Sequence, residues 1–442
     1  MPARFIKNFT ELAKTPERKV ILELVETAFE SIQPEEVFKT NIHRHGDMLT
    51  IVNKDFDLGE FDRVFILGFG KGSAGNAKLL EDLVLDKLTE GFVIDTDSRF
   101  NLKQAWSRLN LENQGGFKKI KFTKGTHPLP SEENFEFTQM VLEKLTGLTE
   151  RDLVLIVICG GGSAMLVHPH AITLKQKIDV GRELLKSGAN ITEMNIVRKH
   201  LSDVKGGGLA QILYPATIAT LVYSDVPGND LSTIASGPTV CDHTTIEDAL
   251  HIINKFKIDF DLPKSAFVEK PHDKKYFKNV HNIIVLSNET ALQAMLKKAR
   301  DLKHHAKIFS DRFQGDAKVA GKQLISATHP GSILLVGGET TVHVSKKSGK
   351  GGRNQTLVLA ALKLVGRDVT ICSFDSDGWD FIDNAGAIGD MKTLERAKEL
   401  NLDIDRFLET DSSLDFFNGV GDAIVTGRLP SNVSDLMIVL RK

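Results

Sequence analysis

Short apolar runs alternate with segments of helical periodicity through the first half of the chain. The predicted strands lie at residues 64–67, 92–94, 119–122, 153–158 and 216–222, and the run 153–158 is wholly apolar. Apolar positions recur at helical spacing in residues 15–29, 74–88, 131–145, 173–185 and from 192 onward. Alternating strands and helices build parallel sheets, and an unbroken apolar run such as 153–158 is typical of a central strand. The pattern predicts a Rossmann-like α/β domain.

A second domain is expected after the polar, irregular stretch at residues 242–276. We place the boundary at residue 255, which predicts domains at 1–255 and 256–442. The strands expected beyond the polar stretch are residues 282–286, 333–336, 341–344, 369–374 and 436–440. Residues 333–336 and 341–344 are close enough to pair as a hairpin across 337–340. The sequence therefore predicts a smaller α/β domain with a mixed sheet.

Composition excludes several functional classes. The chain has 442 residues and a formal net charge of −2, so it lacks the basic character expected of a nucleic-acid-binding protein. The longest apolar run, 153–159, is too short to cross a bilayer, and residues 1–14 resemble no signal peptide. The three cysteines form no close pair in sequence, which fits a reducing compartment. We therefore expect a cytoplasmic protein that binds small molecules, without a nucleic-acid or membrane partner.

Three glycine-rich turns follow apolar strands or precede helices, at residues 68–73, 160–163 and 349–355. Glycines let the backbone approach a ligand closely and point several N–H groups at it, which favours anions. Lys71 and Arg353 add positive charge to two of the turns, so we expect a ligand with several phosphate or carboxylate groups. The candidate binding residues in the turns are Gly70, Gly72, Ser73, Gly160, Gly161, Gly162, Ser163, Gly351 and Gly352.

The first turn also matches the dinucleotide-binding fingerprint. Gly70, Gly72 and Gly75 have the required spacing, and Asp95 follows twenty residues later at a strand end. This pattern favours an NAD-dependent hydroxy-acid oxidoreductase. Against it, Lys71 occupies a position where such enzymes usually have a small or apolar residue, and the other two turns would have no role. Dinucleotide binding therefore stays an alternative.

Further candidates are cations on one predicted helix and acids at strand ends. Asn195, Arg198 and Lys199 share the helix that begins near residue 192, and could bind substrate or nucleotide. Asp225 follows the strand 216–222, and Glu339 follows two glycines. Carboxylates at strand ends often cap turns, but they are also ligands that Mg²⁺ prefers. We take Asp225 and Glu339 as candidate metal ligands.

Seven ordered sequence blocks together resemble the type 2 glycerate kinases, which carry a C-terminal MOFRL domain. The blocks are GFGKGSAGNA (68–77), GTHPLPSEEN (125–134), DLVLIVICGGGSAMLVHP (152–169), ITEMNIVRKHLSDVKGG (191–207), SDVPGNDLSTIASGPT (224–239), GGETTV (337–342) and GKGGRNQ (349–355). They span most of the chain, and seven blocks in order are far more specific than any single motif.

The resemblance implies a two-domain α/β fold with an active-site cleft between the domains. It implies ATP-dependent phosphorylation of D-glycerate at the 2-hydroxyl, with ATP as co-substrate and Mg²⁺ as cofactor. The essential lysine and arginine of the family match Lys71 and Arg353, which we therefore expect to be catalytic. The oligomeric state stays open, with a homodimer as one expectation.

The chain departs from the family pattern at three places, namely Gly208, where the family usually has arginine, and residues 375–387 and 426–432. The last two lie in the second domain and bear on substrate choice more than on fold. Two further alternatives follow from them: a kinase for another small hydroxy acid, and a non-catalytic nucleotide-binding protein on the same fold.

Overall fold

The computed structural model describes residues 4–96, 116–258, 262–344 and 349–442. Within these ranges, no helix combines the length and the apolar character needed to cross a lipid bilayer. The chain divides into two compact units. The sheet unit comprises Val37–Ser224 and Asn229–Val285, and the mixed unit comprises Met1–Glu36, Asp225–Gly228 and Leu286–Lys442.

The sheet unit is built on six strands in the order β6-β5-β4-β7-β8-β9. Three short antiparallel strands precede them: β1 Ile42–His45, β2 Met48–Ile51 and β3 Lys54–Asp57. The six strands are β4 Arg63–Phe69, β5 Leu88–Asp95, β6 Ile120–Lys124, β7 Asp152–Ile158, β8 Thr217–Tyr223 and β9 Val280–Leu286. Strands β4 to β8 pair in parallel, and every residue of β7 is buried. The predicted Rossmann-like sheet is confirmed, with the run 153–158 at its centre.

Four described helices of the sheet unit lie at predicted positions: Ser73–Val84, Glu132–Lys144, Leu174–Lys186 and Ile191–His200. Three others were not predicted, namely Gly162–Met165, Gly208–Leu213 and Ile246–Lys255, and the last lies within the stretch 242–276 that the sequence indicates to be irregular. Thr173 and Asn190 are the N-cap residues of two of the predicted helices, and each forms a capping box. In this motif the N-cap side chain accepts from the backbone N–H three residues later, and the side chain of that later residue accepts from the N-cap N–H. The second of these boxes fixes the start of Ile191–His200, the helix that carries Arg198.

The mixed unit contains a six-stranded sheet in the order β10-β11-β15-β12-β13-β14. Its strands are β10 His305–Asp316, β11 Ser332–Thr341, β12 Val369–Asp375, β13 Gly386–Gly389, β14 Ala423–Ile424 and β15 Asp435–Arg441. Only the β10–β11 pair is parallel, so the predicted mixed sheet is confirmed. The predicted hairpin across 337–340 is wrong, because β11 continues through Gly337 and Gly338. A Cβ built at Gly338 would lie 2.0 Å from the Phe313 carbonyl oxygen, so glycine here permits close strand contact and makes no turn.

The helices of the mixed unit come from both the N-terminal and the C-terminal part of the chain. Those in the C-terminal part are Asn288–Asp301, Ala317–Ala327, Arg353–Ala361, Met391–Glu399, Ile404–Glu409 and Ser413–Val420. Near the N-terminus, Phe9–Leu12 and Pro16–Ser31 precede Pro34–Asn41, which leads into the sheet unit. The helix Pro16–Ser31 packs against Asn288–Asp301.

The two units do not follow the predicted boundary at residue 255. Residues 256–285 belong with the sheet unit, because β9 extends its sheet beside β8. Residues 1–36 belong with the mixed unit, where the fully buried Arg18 holds them in place. Its Nη1 donates to Asp422 at 2.7 Å, and its Nε donates to Asp390 at 2.8 Å. A buried guanidinium needs such paired carboxylates, so this segment is fixed by contacts far away in sequence.

Candidate functional site

The first and second glycine turns lie side by side in the sheet unit. They follow β4 and β7, which are parallel neighbours, so both turns stand at the carboxyl edge of the sheet. The Lys71 N–H donates to the Gly160 carbonyl oxygen at 2.8 Å. Gly70 has φ +114°, and a Cβ built there would lie 2.3 Å from the Cys159 carbonyl oxygen. This close approach requires glycine, and it is what brings the two turns together.

Hydrogen bonds inside the protein already occupy the donors of the first turn. The carboxylate of Asp95 accepts from the N–H groups of Gly72 at 2.9 Å and Ala74 at 3.1 Å. The Gly70 N–H and the Ser73 hydroxyl both donate to the carbonyl oxygen of Ile94. Burial raises the pKa of Asp95 to about 6. The N-terminus of the helix Ser73–Val84 is therefore occupied by a carboxylate of the protein itself.

The second turn differs from the first in the number of backbone N–H groups that are available to a ligand. In the described part of the chain, the N–H groups of Gly160, Gly161 and Ser163 have no acceptor. The Ser163 hydroxyl lies 2.8 Å from that of Ser236. Gly162 packs against the ring of Phe69, which anchors the turn to β4. Neighbouring backbone N–H groups that have no protein acceptor can bind an anion, and we call this turn, residues 160–163, the cradle.

Lys71 and His127 flank the cradle. The Lys71 side chain is exposed, and none of the described residues forms an ion pair with it. A Cβ built at Gly161 would lie 2.7 Å from His127 Cδ2, so the imidazole ring covers this glycine. Burial, and then the charge of Lys71, lowers the pKa of His127, which is therefore neutral at neutral pH. Sequence reasoning did not select His127, although it lies within the block at 125–134.

A group of buried cations lies on and beside the helix Ile191–His200. The side chain of Arg198 is half-buried, and burial lowers its pKa; it has no acceptor within the ranges that the structure describes. Lys205 is wholly buried, and burial together with the charge of Arg198 lowers its pKa to about 7. Lys177 donates to the Leu201 carbonyl oxygen at 2.7 Å, and burial lowers its pKa well below the ordinary value. Several cations held close together at sites partly removed from water repel one another, so this group favours a bound anion.

The buried cations and the cradle are joined through one segment. Lys205 Nζ donates to the Ala235 carbonyl oxygen at 3.0 Å, and the neighbouring Ser236 contacts Ser163 of the cradle. Lys199, in contrast, forms a buried ion pair with Asp242 at 3.2 Å. Asn195 is buried on the same helix. Arg198 is therefore the cation on this helix whose charge is left for a ligand.

The third turn places Arg353 among carboxylates in the mixed unit. Its Nε donates to Asp435 at 2.6 Å, its Nη1 to Glu339 at 2.5 Å and its Nη2 to Asp375 at 3.3 Å. Asp435 is fully buried, whereas the Glu339 side chain is 43% exposed. Burial, and then the charge of Asp435, raises the pKa of Asp375 well above its ordinary value. Three carboxyl groups surround one guanidinium, and the raised pKa of Asp375 reflects their competition for its single positive charge.

Internal contacts also account for the glycines of the third turn. The N–H groups of Asn354 and Gln355 each donate to Asp380 at 3.0 Å, so this helix start is capped by the protein, as at Asp95. Burial raises the pKa of Asp380 to about 7. A Cβ built at Gly352 would lie 1.9 Å from the Asp380 carbonyl oxygen, and one at Gly351 would lie 2.1 Å from a serine hydroxyl. Glycine is therefore needed for packing at both positions.

A pocket of about 640 Å³ opens beside Arg353, within the size range of small-molecule sites. Its lining includes Glu339, Gly351, Gly352, Arg353 and Phe381. Two sequence-predicted binding residues, Gly351 and Gly352, thus line one cavity together with the predicted catalytic Arg353 and the candidate metal ligand Glu339. Asp225 belongs to the same unit, and its carbonyl oxygen accepts from the Ser434 hydroxyl at 2.5 Å.

Comparison with known proteins places the chain in a family. Residues 20–268 match a family described as a domain of unknown function (DUF4147), and residues 332–435 match the MOFRL family. A glycerate 2-kinase of Pyrococcus horikoshii is 32% identical over 96% of this chain and 97% of that protein. The chain belongs to the MOFRL-containing glycerate kinase family.

Two further members of the family bear on the interpretation. The crystal structure of a glycerate kinase from Thermotoga maritima matches with a TM-score of 0.82 and 31% identity, over 96% of this chain and 99% of that chain. A provisionally named hydroxypyruvate reductase from Agrobacterium vitis is 35% identical over 86% of this chain and 87% of that protein. The predicted family resemblance and fold class are thus confirmed.

Proposed function

We propose that the protein transfers the γ-phosphoryl group of ATP to the 2-hydroxyl of D-glycerate, giving 2-phospho-D-glycerate. The observation that carries the proposal is the cradle, where three N–H groups, and the Lys71 side chain beside them, have no partner among the residues that the structure describes. Phosphoryl transfer passes through a loose transition state, so it depends mainly on positioning and charge neutralisation. Family membership supports glycerate as the acceptor.

We assign the phosphates of ATP to the cradle and the carboxylate of glycerate to Arg198. The planar guanidinium of Arg198 suits a carboxylate, which it can bind through two parallel hydrogen bonds. Lys205, buried behind it, adds positive charge and orients the segment at 235–236 that contacts the cradle. Lys71 contributes a mobile point charge to the phosphates.

His127 is our candidate for the group that accepts the proton of the 2-hydroxyl. Its ring covers the cradle at Gly161, and its lowered pKa keeps it neutral and able to accept a proton at neutral pH. During the transfer, the hydroxyl proton would move to a ring nitrogen while the hydroxyl oxygen forms its bond to phosphorus. The released ADP keeps the electron pair of the broken bond.

Arg353 has two roles in this proposal. It holds Glu339, Asp375 and Asp435 in place, and its charge stabilises the transferring group. The surplus of carboxylates over cations around it fits a hard divalent ion, and Glu339 presents its exposed carboxylate to the pocket. Glu339 and Asp225 stay our candidate ligands for Mg²⁺, and a bound Mg²⁺ would neutralise negative charge on the phosphate oxygens.

The oxidoreductase alternative lacks a binding site at the first turn. A dinucleotide would need the N–H groups of Gly72 and Ala74 for its pyrophosphate, and Asp95 for its ribose. Here Asp95 accepts hydrogen bonds from those very N–H groups. The observed turn therefore favours a kinase. We also propose a cytoplasmic location, because all three cysteines are free.

The proposal is tested by ADP release from Mg-ATP with and without D-glycerate, followed by phosphorus NMR of the product. Glycerate-dependent release, with phosphate on the 2-hydroxyl, is the expected result. Phosphate on the 3-hydroxyl would keep the reaction class and contradict the assigned product. ATP binding without glycerate-dependent release would favour the non-catalytic alternative, and hydride transfer from NADH to hydroxypyruvate would favour the reductase.

The KM for D-glycerate should rise with pH above about 7, by up to about tenfold per pH unit, at saturating Mg-ATP. The folded pKa of Lys205 is lowered to about 7, so its charge is present below that pH and is lost above it. Steady-state kinetics between pH 6 and 9 measures this slope. In Lys205→Met, whose side chain has similar volume, KM should be high and independent of pH. A variant that retains the wild-type profile would show that Lys205 does not govern substrate binding.

A further inference from the structure

We propose that Cys241, His243 and His272 bind a divalent transition-metal ion, zinc in the first place, through one thiolate and two imidazole nitrogens. The three residues lie outside the candidate active site. One loop carries Cys241 and His243, and a second carries His272. Their ligand atoms all lie within 4.8 Å of one another.

The donors available at this position are sulfur and nitrogen. The neighbouring carboxylate of Asp242 is already engaged, since it accepts from Lys199 at 3.2 Å and from the Thr244 hydroxyl at 2.8 Å. One thiolate with two imidazoles is a donor set that suits zinc and excludes Mg²⁺ and Ca²⁺. Three protein ligands leave a fourth tetrahedral position for water.

The geometry needs only a small adjustment to bind the ion. Zinc lies about 2.3 Å from sulfur and about 2.0–2.1 Å from nitrogen, so tetrahedral ligand atoms are about 3.3–3.7 Å apart. The rings of His243 and His272 are exposed, and exposed rings can rotate by the remaining distance. Cys241 Sγ already lies 3.7 Å from the Pro271 carbonyl oxygen, which places the two loops in contact.

The metal would stabilise the loops that hold the end of the helix Ile191–His200. His200 Nδ1 lies 2.9 Å from the Val268 carbonyl oxygen, and its Nε2 lies 3.1 Å from the Thr244 hydroxyl. These partners belong to the same two loops as the metal ligands. An ion that binds only the folded state raises stability by mass action.

Titration of the metal-free full-length protein with Co²⁺, without nucleotide, tests the proposal. We expect one equivalent of Co²⁺ to produce a thiolate-to-cobalt charge-transfer band with visible bands of a four-coordinate ion, and Zn²⁺ to remove them. Cys241→Ser should abolish the charge-transfer band, and His272→Ala should weaken binding about tenfold or more. His251→Ala, which replaces another exposed histidine of the same unit, is the matched control and should bind normally.

Alkylation gives a second readout that does not depend on kinase activity. Cys159 and Cys372 are buried, so iodoacetamide should modify Cys241 first. Zn²⁺ should protect Cys241 from alkylation, as measured by mass spectrometry of its peptide, whereas Mg²⁺ should not. The proposal is overturned if the wild type gives no charge-transfer band, if the band persists in Cys241→Ser, or if Zn²⁺ gives no protection.

Discussion

Replacement of Lys71 by alanine is expected to lower kcat by about 10²–10⁵ while leaving the stability of the protein unchanged. The ammonium group is exposed beside the cradle and has no ion-pair partner among the described residues, so its removal breaks no structural contact. The measurement is steady-state turnover with Mg-ATP and D-glycerate, together with thermal unfolding of the same preparation.

Two further variants make the Lys71 result interpretable. Lys144→Ala removes an exposed lysine of the same unit, on the helix Glu132–Lys144, and should keep normal turnover. Lys71→Arg should recover part of the activity, because it retains the charge with a different geometry. If Lys71→Ala turned over at a near-normal rate, its assignment as a catalytic residue would be wrong.

Replacement of Arg353 by alanine should reduce both turnover and stability. Its guanidinium donates to Asp435, Asp375 and Glu339, and Asp435 is fully buried. Removing one partner of a buried ion pair costs about 3–5 kcal/mol, because it leaves an uncompensated charge. We expect a loss of that size in urea unfolding, and a decrease in kcat of about 10²–10⁵.

Stability and catalysis can be separated at Arg353 with lysine. Arg353→Lys keeps the charge near Asp435 but loses the planar group that reaches three carboxylates at once. It should therefore regain most of the stability and little of the activity. Near-normal turnover in Arg353→Ala would contradict the catalytic assignment. A large loss of turnover with unchanged unfolding would instead contradict the structural role.

The sequence predicts the parallel sheet well because its central strands contain unbroken apolar runs, at residues 64–67 and 153–158. Residues 153–158 are all apolar and all buried, so the sequence alone identifies them as a strand that is covered on both faces. The errors occur where tertiary contacts override local signals. Gly337 and Gly338 read as a turn, yet they permit the close pairing of β11 with its neighbours. The boundary near residue 255 was wrong because a polar stretch marks loops, and loops also occur inside a domain.

For the candidate site, the sequence identifies the turns but not which of them is open. All three have glycines, but Asp95 and Asp380 fill the helix starts of the first and third turns, and no local pattern foretells those contacts. The sequence does not predict His127 and Lys205 as site residues, because their lowered pKa values depend on burial and on neighbours that are distant in sequence. The catalytic roles of Lys71 and Arg353 stay predictions.

The mixed unit is assembled from segments that are far apart in sequence, and this affects its folding during synthesis on the ribosome. Residues 16–31 emerge early, yet their partners, the helix Asn288–Asp301 and Phe374 of β12, are translated hundreds of residues later. Strand β15 lies between β11 and β12, so the sheet is not continuous until that strand is made. The sheet unit can fold meanwhile, as domains generally do during translation. Until then, the apolar face of the helix Pro16–Ser31 lacks its partners in the nascent chain and is accessible to a chaperone.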